Sequence, residues 1–291
     1  MLNFNVITPS TVNDLLIAIE NNKDTSYRFG AGYTDLLLEL KKQSGPRINV
    51  INLAKIEDPY FALISRSDGF VRVGTLVTAN ELVNSKPLQE LYPVLHKAAY
   101  MLASRQIRQV ATVGGNICTA SPAGDITTAL VALDSRCEIM NTKGAIREIA
   151  IQDFLIGVRR TDLKPDEVLR SVLIPINSTL DKVRSDFVKI GSRKSMECSI
   201  ISLAYHFYLD SSDIIRQAGV AIGSAAPTIK FTRSACDYII GKNINQLSQT
   251  ETEQFAKKIL EYASPISDIR GSAWYRSQVL YNISMSIFEK E

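Results

Sequence analysis

Cysteine is scarce in this chain and never paired. Cys118, Cys137, Cys198 and Cys236 stand alone, with no CxxC spacing. A zinc or iron–sulfur site built from its own thiolates is therefore not expected, because such sites need clustered ligands. Each cysteine is expected to be a reduced, mostly buried, small apolar residue, with Cys118 set apart because it adjoins a glycine-rich stretch. Histidine is scarcer still: His96 and His206 are the only two, each inside a patterned segment, and both are expected to be structural. No run of about 18 apolar residues occurs, so no membrane span is expected. The formal charge is only +3 and the basic residues are scattered among acids. That excludes the clustered basic face a nucleic acid needs. The opening MLNFNVITPS lacks a basic region followed by an apolar stretch, so a cytoplasmic location is expected.

What is present suits an ordinary globular protein. The chain has 291 residues, 45% of them hydrophobic. That is enough for two or three packed units and a sizeable core without disulfides or metal. The first fifty residues read as a β-α-β unit: strand Phe4–Ile7, a helix capped by Ser10 or Thr11, strand Ser26–Phe29, helix Leu36–Lys41 and strand Arg47–Ile51. In the second unit, strands Tyr60–Ser65 and Phe70–Gly74 flank a hairpin signal at Ser67-Asp68-Gly69. Thr78 is expected to cap a helix, and Pro87–Ala103 to hold an amphipathic one. Arg108–Asp125 reads as a loop and Ile126–Leu133 as a helix. Arg136–Asn141 and Ala145–Ile149 read as a hairpin, and Val168–Ile174 as a strand ended by Pro175. The polar stretch after that proline, 177–181, reads as a domain boundary. Three strands follow (Ser185–Ile190, Cys198–Leu209, Ile214–Gly223), then helices Arg233–Ile240, Thr250–Ala263 and Arg270–Phe288.

Two stretches carry candidate chemistry. Gly30 and Gly32 sit where a strand passes into a helix. Glycines there permit close backbone approach, so N–H groups can converge on a phosphate beside a helix N-terminus. The spacing is not GxGxxG, since Asp35 stands where the third glycine would, and antiparallel hairpins downstream do not suit a Rossmann fold. On its own this loop reads equally as a plain tight turn. The second stretch is Ala111-Thr-Val-Gly-Gly-Asn116. Its Gly114-Gly115 pair is expected to expose backbone donors, and Thr112 and Asn116 add side-chain donors. Two such loops suit a diphosphate held between them. Asp125 repels phosphate, so a ribose hydroxyl or an adenine amine is its expected target.

These residues resemble the FAD-binding subunit of the molybdenum hydroxylases, the xanthine, carbon monoxide and nicotinate dehydrogenases. The family's AGGTDLL-like and ATVGGNI-TASP--D motifs read here as Ala31–Leu37 and Ala111–Asp125. Pro165–Leu169 before Pro175, Phe187–Lys189 followed by Arg193-Lys194, and Ser267–Arg276 resemble three further family stretches. The likeness spans nearly the whole chain in the right order. It implies an α+β fold: a two-part FAD-binding domain of the vanillyl-alcohol oxidase (PCMH) type over 1–177, divided at about 55/56. A small domain of three-stranded antiparallel sheet plus helices would follow over 182–288.

By position, the resemblance assigns Phe29, Gly30, Ala31, Gly32, Tyr33, Thr34, Asp35 and Leu36 to the diphosphate. Thr112, Gly115 and Asn116 complete that cradle. Leu102 becomes a flavin-packing residue, Asp125 an acid near the nucleotide sugar, and Leu169 and Lys189 contacts of the flavin ring. No catalytic or metal-ligating residue is implied. Lys189 is the candidate cation for stabilising reduced flavin. Tyr33 departs from the family's second glycine; xanthine dehydrogenases also carry a side chain there, so the resemblance implies that binding survives, with a ring lying over the flavin or blocking the mouth as the alternative. The implied cofactor is non-covalent FAD, with molybdopterin on a large partner subunit and [2Fe–2S] clusters on a small one. The implied role is electron transfer to NAD⁺ or another acceptor. Two alternatives stand beside this: a stand-alone reductase of the UDP-N-acetylenolpyruvoylglucosamine reductase type, and a scaffold subunit without flavin. The first lacks an Asp-Ile-Arg-Gly-Ser tail and carries Ala where Asn116 stands. Covalent-FAD oxidases are disfavoured because neither histidine lies in a glycine loop.

Overall fold

A computed structural model describes residues 4–42, 45–67, 69–177, 182–193 and 196–289. Asp68, Lys194 and most of the expected boundary at 177–181 lie outside these. The first unit is a small parallel sheet. Strands β1 (Phe4–Ile7) and β2 (Tyr27–Gly30) both pair with the central β3 (Ile48–Asn52). The connecting helix Val12–Glu20 starts where the Thr11 hydroxyl accepts from the Asp14 N–H. It buries Leu15, Ala18 and Ile19, which sit three to four residues apart on one face.

The second unit is an antiparallel sheet ordered β4-β5-β10-β6-β7, from strands Ile64–Ser67, Phe70–Gly74, Arg136–Asn141 (β6), Ile146–Ala150 (β7) and Glu167–Pro175 (β10). Between β7 and β10 lies a short hairpin of β8 (Leu155–Gly157) and β9 (Arg160–Thr161), which the sequence pattern did not announce. Three expectations need correction here. The strand expected from Tyr60 begins only at Ile64, because Asp58 accepts from the Tyr60 N–H and starts a turn of helix at Pro59. The stretch 87–103, expected to contain one amphipathic helix, takes part in two, Lys86–Leu91 and Pro93–Met101, since Pro93 cannot continue the first. The loop expected over 108–125 contains a helix, Val113–Cys118. The Thr78 cap is present as a reciprocal capping box with Glu81.

The third unit is an antiparallel sheet of β11 (Lys182–Ile190), β12 (Ile201–Leu209) and β13 (Ile215–Gly223). A two-residue fourth strand, β14 (Lys230–Phe231), adds to the expected three. Helices Arg233–Ile239, Gln249–Leu260 and Ala273–Ser286 follow. Between this sheet and the second unit lies helix Asp125–Ala132, every residue of it buried. Ile126, Ala129, Leu130, Val131 and Ala132 join the main core, while Asp125, Thr127 and Thr128 are buried polar residues of the same helix. Gly219 on β13 lets that strand approach closely, since a Cβ there would collide with the Ala132 carbonyl oxygen. The largest apolar cluster consequently runs from the second unit into the third.

Among the described residues, no helix is long and apolar enough to cross a membrane, and no His/Cys/Asp/Glu cluster could hold a metal ion. Cys137 and Cys236 are buried as expected; Cys118 and Cys198 are exposed, the latter against expectation. His206 is structural. Its Nδ1 meets the Ser185 hydroxyl, and burial pushes the imidazole down to about 4, so it is neutral at pH 7.

Candidate cofactor site

The first glycine loop leaves the C-terminal end of β2. Gly30 closes the strand by accepting from the Leu53 N–H. The next main-chain N–H groups, Ala31 to Asp35, donate to no protein acceptor among the described residues. All lie near the surface, half-buried or exposed. Unsatisfied N–H groups in close succession form a cradle for an anion. The following helix, Leu36–Lys42, is too short to contribute much more.

Gly32 determines where this cradle faces. A Cβ on it would collide with the Val110 carbonyl oxygen and stand 3.2 Å from the Ala111 Cα. The absence of a side chain thus lets the first loop rest directly on the entry to the second. The two loops that the sequence pairs are thus in contact, through Gly32 and Val110, 78 positions apart.

Tyr33 takes φ +60°, the left-handed conformation that costs a side-chain-bearing residue about 1–2 kcal/mol. Its ring neither blocks the mouth nor projects outward. It folds back over Gly30, where a Cβ would meet the ring, and packs on the small cluster of Leu40, Ile48 and Val50. The same burial raises its phenol pKa. Leu36 joins that cluster, and Phe29 packs edge-on to Tyr27 at 5.3 Å, on the neighbouring cluster. Phe29, Tyr33 and Leu36 therefore shape the loop through their side chains and leave the anion to its backbone.

The second loop differs from expectation. Thr112 caps helix Val113–Cys118, its hydroxyl accepting from the Gly115 N–H at 3.0 Å. The Gly114 N–H donates to the Thr75 carbonyl and the Asn116 N–H to the Thr112 carbonyl. The expected free backbone donors of Gly114 and Gly115 are therefore already used. Gly114 is buried for packing, because any Cβ would strike the Thr75 hydroxyl; Gly115 is exposed and presents a bare surface.

The donor that remains belongs to Asn116. Its Oδ1 accepts from the Thr127 N–H at 3.0 Å and from the Thr127 hydroxyl at 2.8 Å. A main-chain N–H can only donate, so this fixes the amide orientation and leaves Nδ2 facing away. No protein acceptor meets Nδ2 among the described residues. Sequence reasoning missed Thr127, which no motif marks. Thr127→Val keeps the N–H bond and loses the hydroxyl one. FAD affinity, measured by titration, is expected to fall about tenfold with a stability change near 1 kcal/mol. Unchanged affinity would remove Thr127 from the site.

A second corner is built around Asp125, the first residue of the buried helix. Lys189 Nζ reaches its Oδ2 at 2.6 Å, and also the Met101 carbonyl at 3.4 Å. Both side chains are under a tenth exposed. The other carboxylate oxygen, Oδ1, is buried without a partner. Burial raises the Asp125 carboxyl to about 6, Lys189 opposing it. Two residues given separate roles are thus one ion pair, and the Lys189 charge is not free. Leu102 follows Met101 and ends its helix half-buried, with its carbonyl accepting from Arg108. Leu169 is only 2% exposed and belongs to the main core. Its side chain has no surface to offer a flavin, so any contact there is through its main chain.

An open depression of about 550 Å³ lined by Lys189–Arg193 begins at the ion pair. A more enclosed cleft of about 420 Å³, bounded by His206, Arg233 and Asp237, holds none of the expected site residues. A free row of N–H groups, a bare Gly115 and an unspent amide donor fit a ligand with phosphate acceptors, as FAD has; the orphaned Asp125 oxygen lies buried behind them.

Comparison with known proteins agrees. The family model "FAD binding domain in molybdopterin dehydrogenase" matches residues 2–177, and "CO dehydrogenase flavoprotein C-terminal domain" matches 186–290. The xanthine dehydrogenase FAD-binding subunit of Escherichia coli O157:H7 is 28% identical over 264 residues, covering 89% of this chain and 87% of that one. The nicotinate dehydrogenase FAD-subunit of Eubacterium barkeri is 25% identical over 292 residues, covering 99% and 96%. The fold is similar to that of a chain of carbon monoxide dehydrogenase from Hydrogenophaga pseudoflava, with a TM-score of 0.87 at 21% identity over 97% of this chain and 95% of that one. The chain belongs to the family of FAD-binding domains of molybdopterin dehydrogenases: it is an FAD-binding, flavoprotein subunit of an oxidoreductase of the molybdenum hydroxylase type.

Proposed function

We propose that this chain holds FAD non-covalently with the diphosphate between residues 29–36 and Thr112–Asn116, and relays electrons from partner [2Fe–2S] clusters to an acceptor such as NAD⁺. The observation that carries the placement is the unpartnered row of N–H groups from Ala31 to Asp35, pressed against the second loop through Gly32. Bound FAD supplies the redox chemistry, taking up electrons and passing them on. The protein positions it. Main-chain donors of the first loop neutralise one face of the diphosphate, and Asn116 Nδ2 reaches it from the other. Gly115 admits close approach. Asp125 Oδ1 is buried in the flavin-free chain, and accepts from a ribose hydroxyl or an amine once the flavin displaces the groups that cover it. Lys189 holds Asp125 in place and closes the ring end of the site, beside Leu102 and the main chain of Leu169.

In this reading, residues 1–177 form a FAD-binding domain of the PCMH type, divided near 55/56, and 182–288 form the small C-terminal domain. The names of the relatives, an FAD-binding subunit and an FAD-subunit, support a multi-subunit assembly; in this reading molybdopterin sits on a large partner and iron–sulfur clusters on a small one. NADH added without oxygen to the purified complex is expected to bleach the visible flavin absorbance. A flavin that stays oxidised with NADH, but is reduced by the complex's own substrate, would rule out NAD⁺ as acceptor.

A pH dependence follows from the orphaned oxygen. A ligand donor at Oδ1 stabilises the carboxylate, so bound FAD lowers the Asp125 pKa from its raised value of about 6. FAD therefore binds the deprotonated form more tightly. Affinity is expected to weaken as pH falls below about 6, by at most about tenfold per pH unit, and Asp125→Asn to flatten that profile. A flat profile in the unsubstituted chain would contradict contact at Oδ1. In the flavin-free chain the linkage has the opposite sign. The raised value means Asp125 contributes most to folding when protonated, and that contribution is lost as pH rises through about 6.

A further inference from the structure

The cleft of about 420 Å³ lies between the second unit and the third, at the far end of the buried helix from Asp125. That helix runs from Asp125 to Ala132, so roughly 12 Å of helix separates the cleft from the cofactor site. Leu133, Pro175 and Ile176 line the cleft from the second unit, Ala218 and Phe231 from the third. A volume of this size with apolar walls suits a small molecule. One buried side chain that lines it has an unmet bond. His206 is 3% exposed, and its Nε2 has no partner among the described residues. The ring is held by the Ser185 hydroxyl at 2.8 Å and by the Tyr208 ring, edge-to-face at 4.6 Å. In register with His206, Ser185 stands on β11 and Gly219 on β13. Nδ1 turns to Ser185, so Nε2 turns toward the Gly219 side, where no side chain stands and the cleft begins.

Hydrogen-bond accounting gives the polarity of that nitrogen. The Ser185 hydroxyl accepts from the Val94 N–H at 3.1 Å and has one proton to give. Its acceptor among the described residues is Nδ1, which assigns the imidazole proton to Nε2 and makes Nε2 a donor. A cation shares the cleft. The Arg233 guanidinium lies 4.6 Å from the centre of the Phe231 ring and enters no ion pair among the described residues. A buried N–H donor and an exposed guanidinium together call for oxygen acceptors that carry negative charge. Asp237, one turn beyond Arg233, also lines the cleft and opposes a second negative charge. The apolar walls call for an apolar body. We propose that this cleft binds a small organic monoanion, a carboxylate on an apolar frame, at a place separate from the cofactor. The carboxylate accepts from His206 Nε2 and faces Arg233. Reaching Nε2 takes a shift of side chains that line the cleft, of which Gln217, Arg233 and Asp237 are exposed.

The chain has only two histidines, so isotope-labelled imidazole nitrogens give one magnetic-resonance probe in the cleft, His206, and one outside it, His96. Benzoate titrated into the flavin-loaded chain is expected to shift the His206 Nε2 resonance and leave His96 in place, with half-saturation at about 1 mM or below. Arg233→Gln, at an exposed position, is expected to weaken that binding about tenfold, with flavin absorbance unchanged. Inorganic phosphate, which carries more charge and no apolar body, is expected to give no saturable shift. No saturable shift of His206 with millimolar benzoate, an equal shift of both histidines, or a benzoate shift untouched by Arg233→Gln would overturn the site. Phosphate matching benzoate would overturn the monocarboxylate assignment. Benzoate that releases the flavin as it binds would place the anion in the cofactor site and overturn a separate one. A chain that takes up no FAD would overturn the flavin reading alone, and the same titration of that chain tests the cleft.

Discussion

Gly32→Ala is expected to yield a folded but colourless chain. The added methyl has nowhere to go, because its collision is with the main-chain carbonyl of Val110 and not with a flexible side chain. Either the first loop lifts away from the second or the Val110–Ala111 backbone shifts. Overpacking of this kind typically costs about 1–3 kcal/mol. The same displacement separates the two halves of the proposed diphosphate cradle. FAD affinity is expected to fall about a hundredfold, the equivalent of roughly 3 kcal/mol. Gly144→Ala is the matching control. It sits at φ +78° with open space around it, so it carries only a backbone cost of about 1 kcal/mol and should stay yellow. Flavin titration of the two variants separates loop contact from general destabilisation. Equal affinity in both would mean that the loop contact has no part in holding the cofactor.

Removing one member of the Asp125–Lys189 pair is expected to be the most damaging change away from the glycines. Both groups are buried, so Lys189→Met strands a carboxylate that already lacks a partner at Oδ1. Breaking a buried pair from one side costs about 3–5 kcal/mol, on the order of 10 °C in Tm for a chain of this size. The stranded acid can take up a proton, so Lys189→Met should recover stability as pH is lowered. Asp125→Ala strands the ammonium instead and should not recover in that range. Replacing both with apolar residues is expected to cost less than the two single changes added together. Thermal melts of the three variants across pH test this. Additive losses, or no recovery of Lys189→Met at low pH, would show that the two groups are not coupled.

Local signals in the sequence were informative where the physics is local. The Thr78-Glu81 capping box, the hairpin of β6 and β7 and the β-α-β pattern of the first unit follow from residues within a few positions of each other. The Asp58-Pro59 start and the break at Pro93 are also written locally, but each lies inside an apolar pattern that suits a longer element. What escaped were contacts between distant positions. Gly114 looks like a backbone donor in isolation, yet it is small because Thr75 packs against it. Asp125 and Lys189 carry no mark of their pairing across 64 positions. Thr127 lacks any motif, and its role appears only when Asn116 is seen resting on it. The place of the Tyr33 side chain is open in the sequence, because nothing local indicates that its ring turns back into the cluster of Leu40, Ile48 and Val50.

The most direct test is a crystal structure of the chain, alone or within its complex, with FAD bound. The diphosphate oxygens are expected within hydrogen-bond distance of main-chain N–H groups between Ala31 and Asp35 and of Asn116 Nδ2, with the ring end beside Lys189. A diphosphate seated elsewhere, for example in the cleft bounded by His206 and Arg233, would contradict the site described.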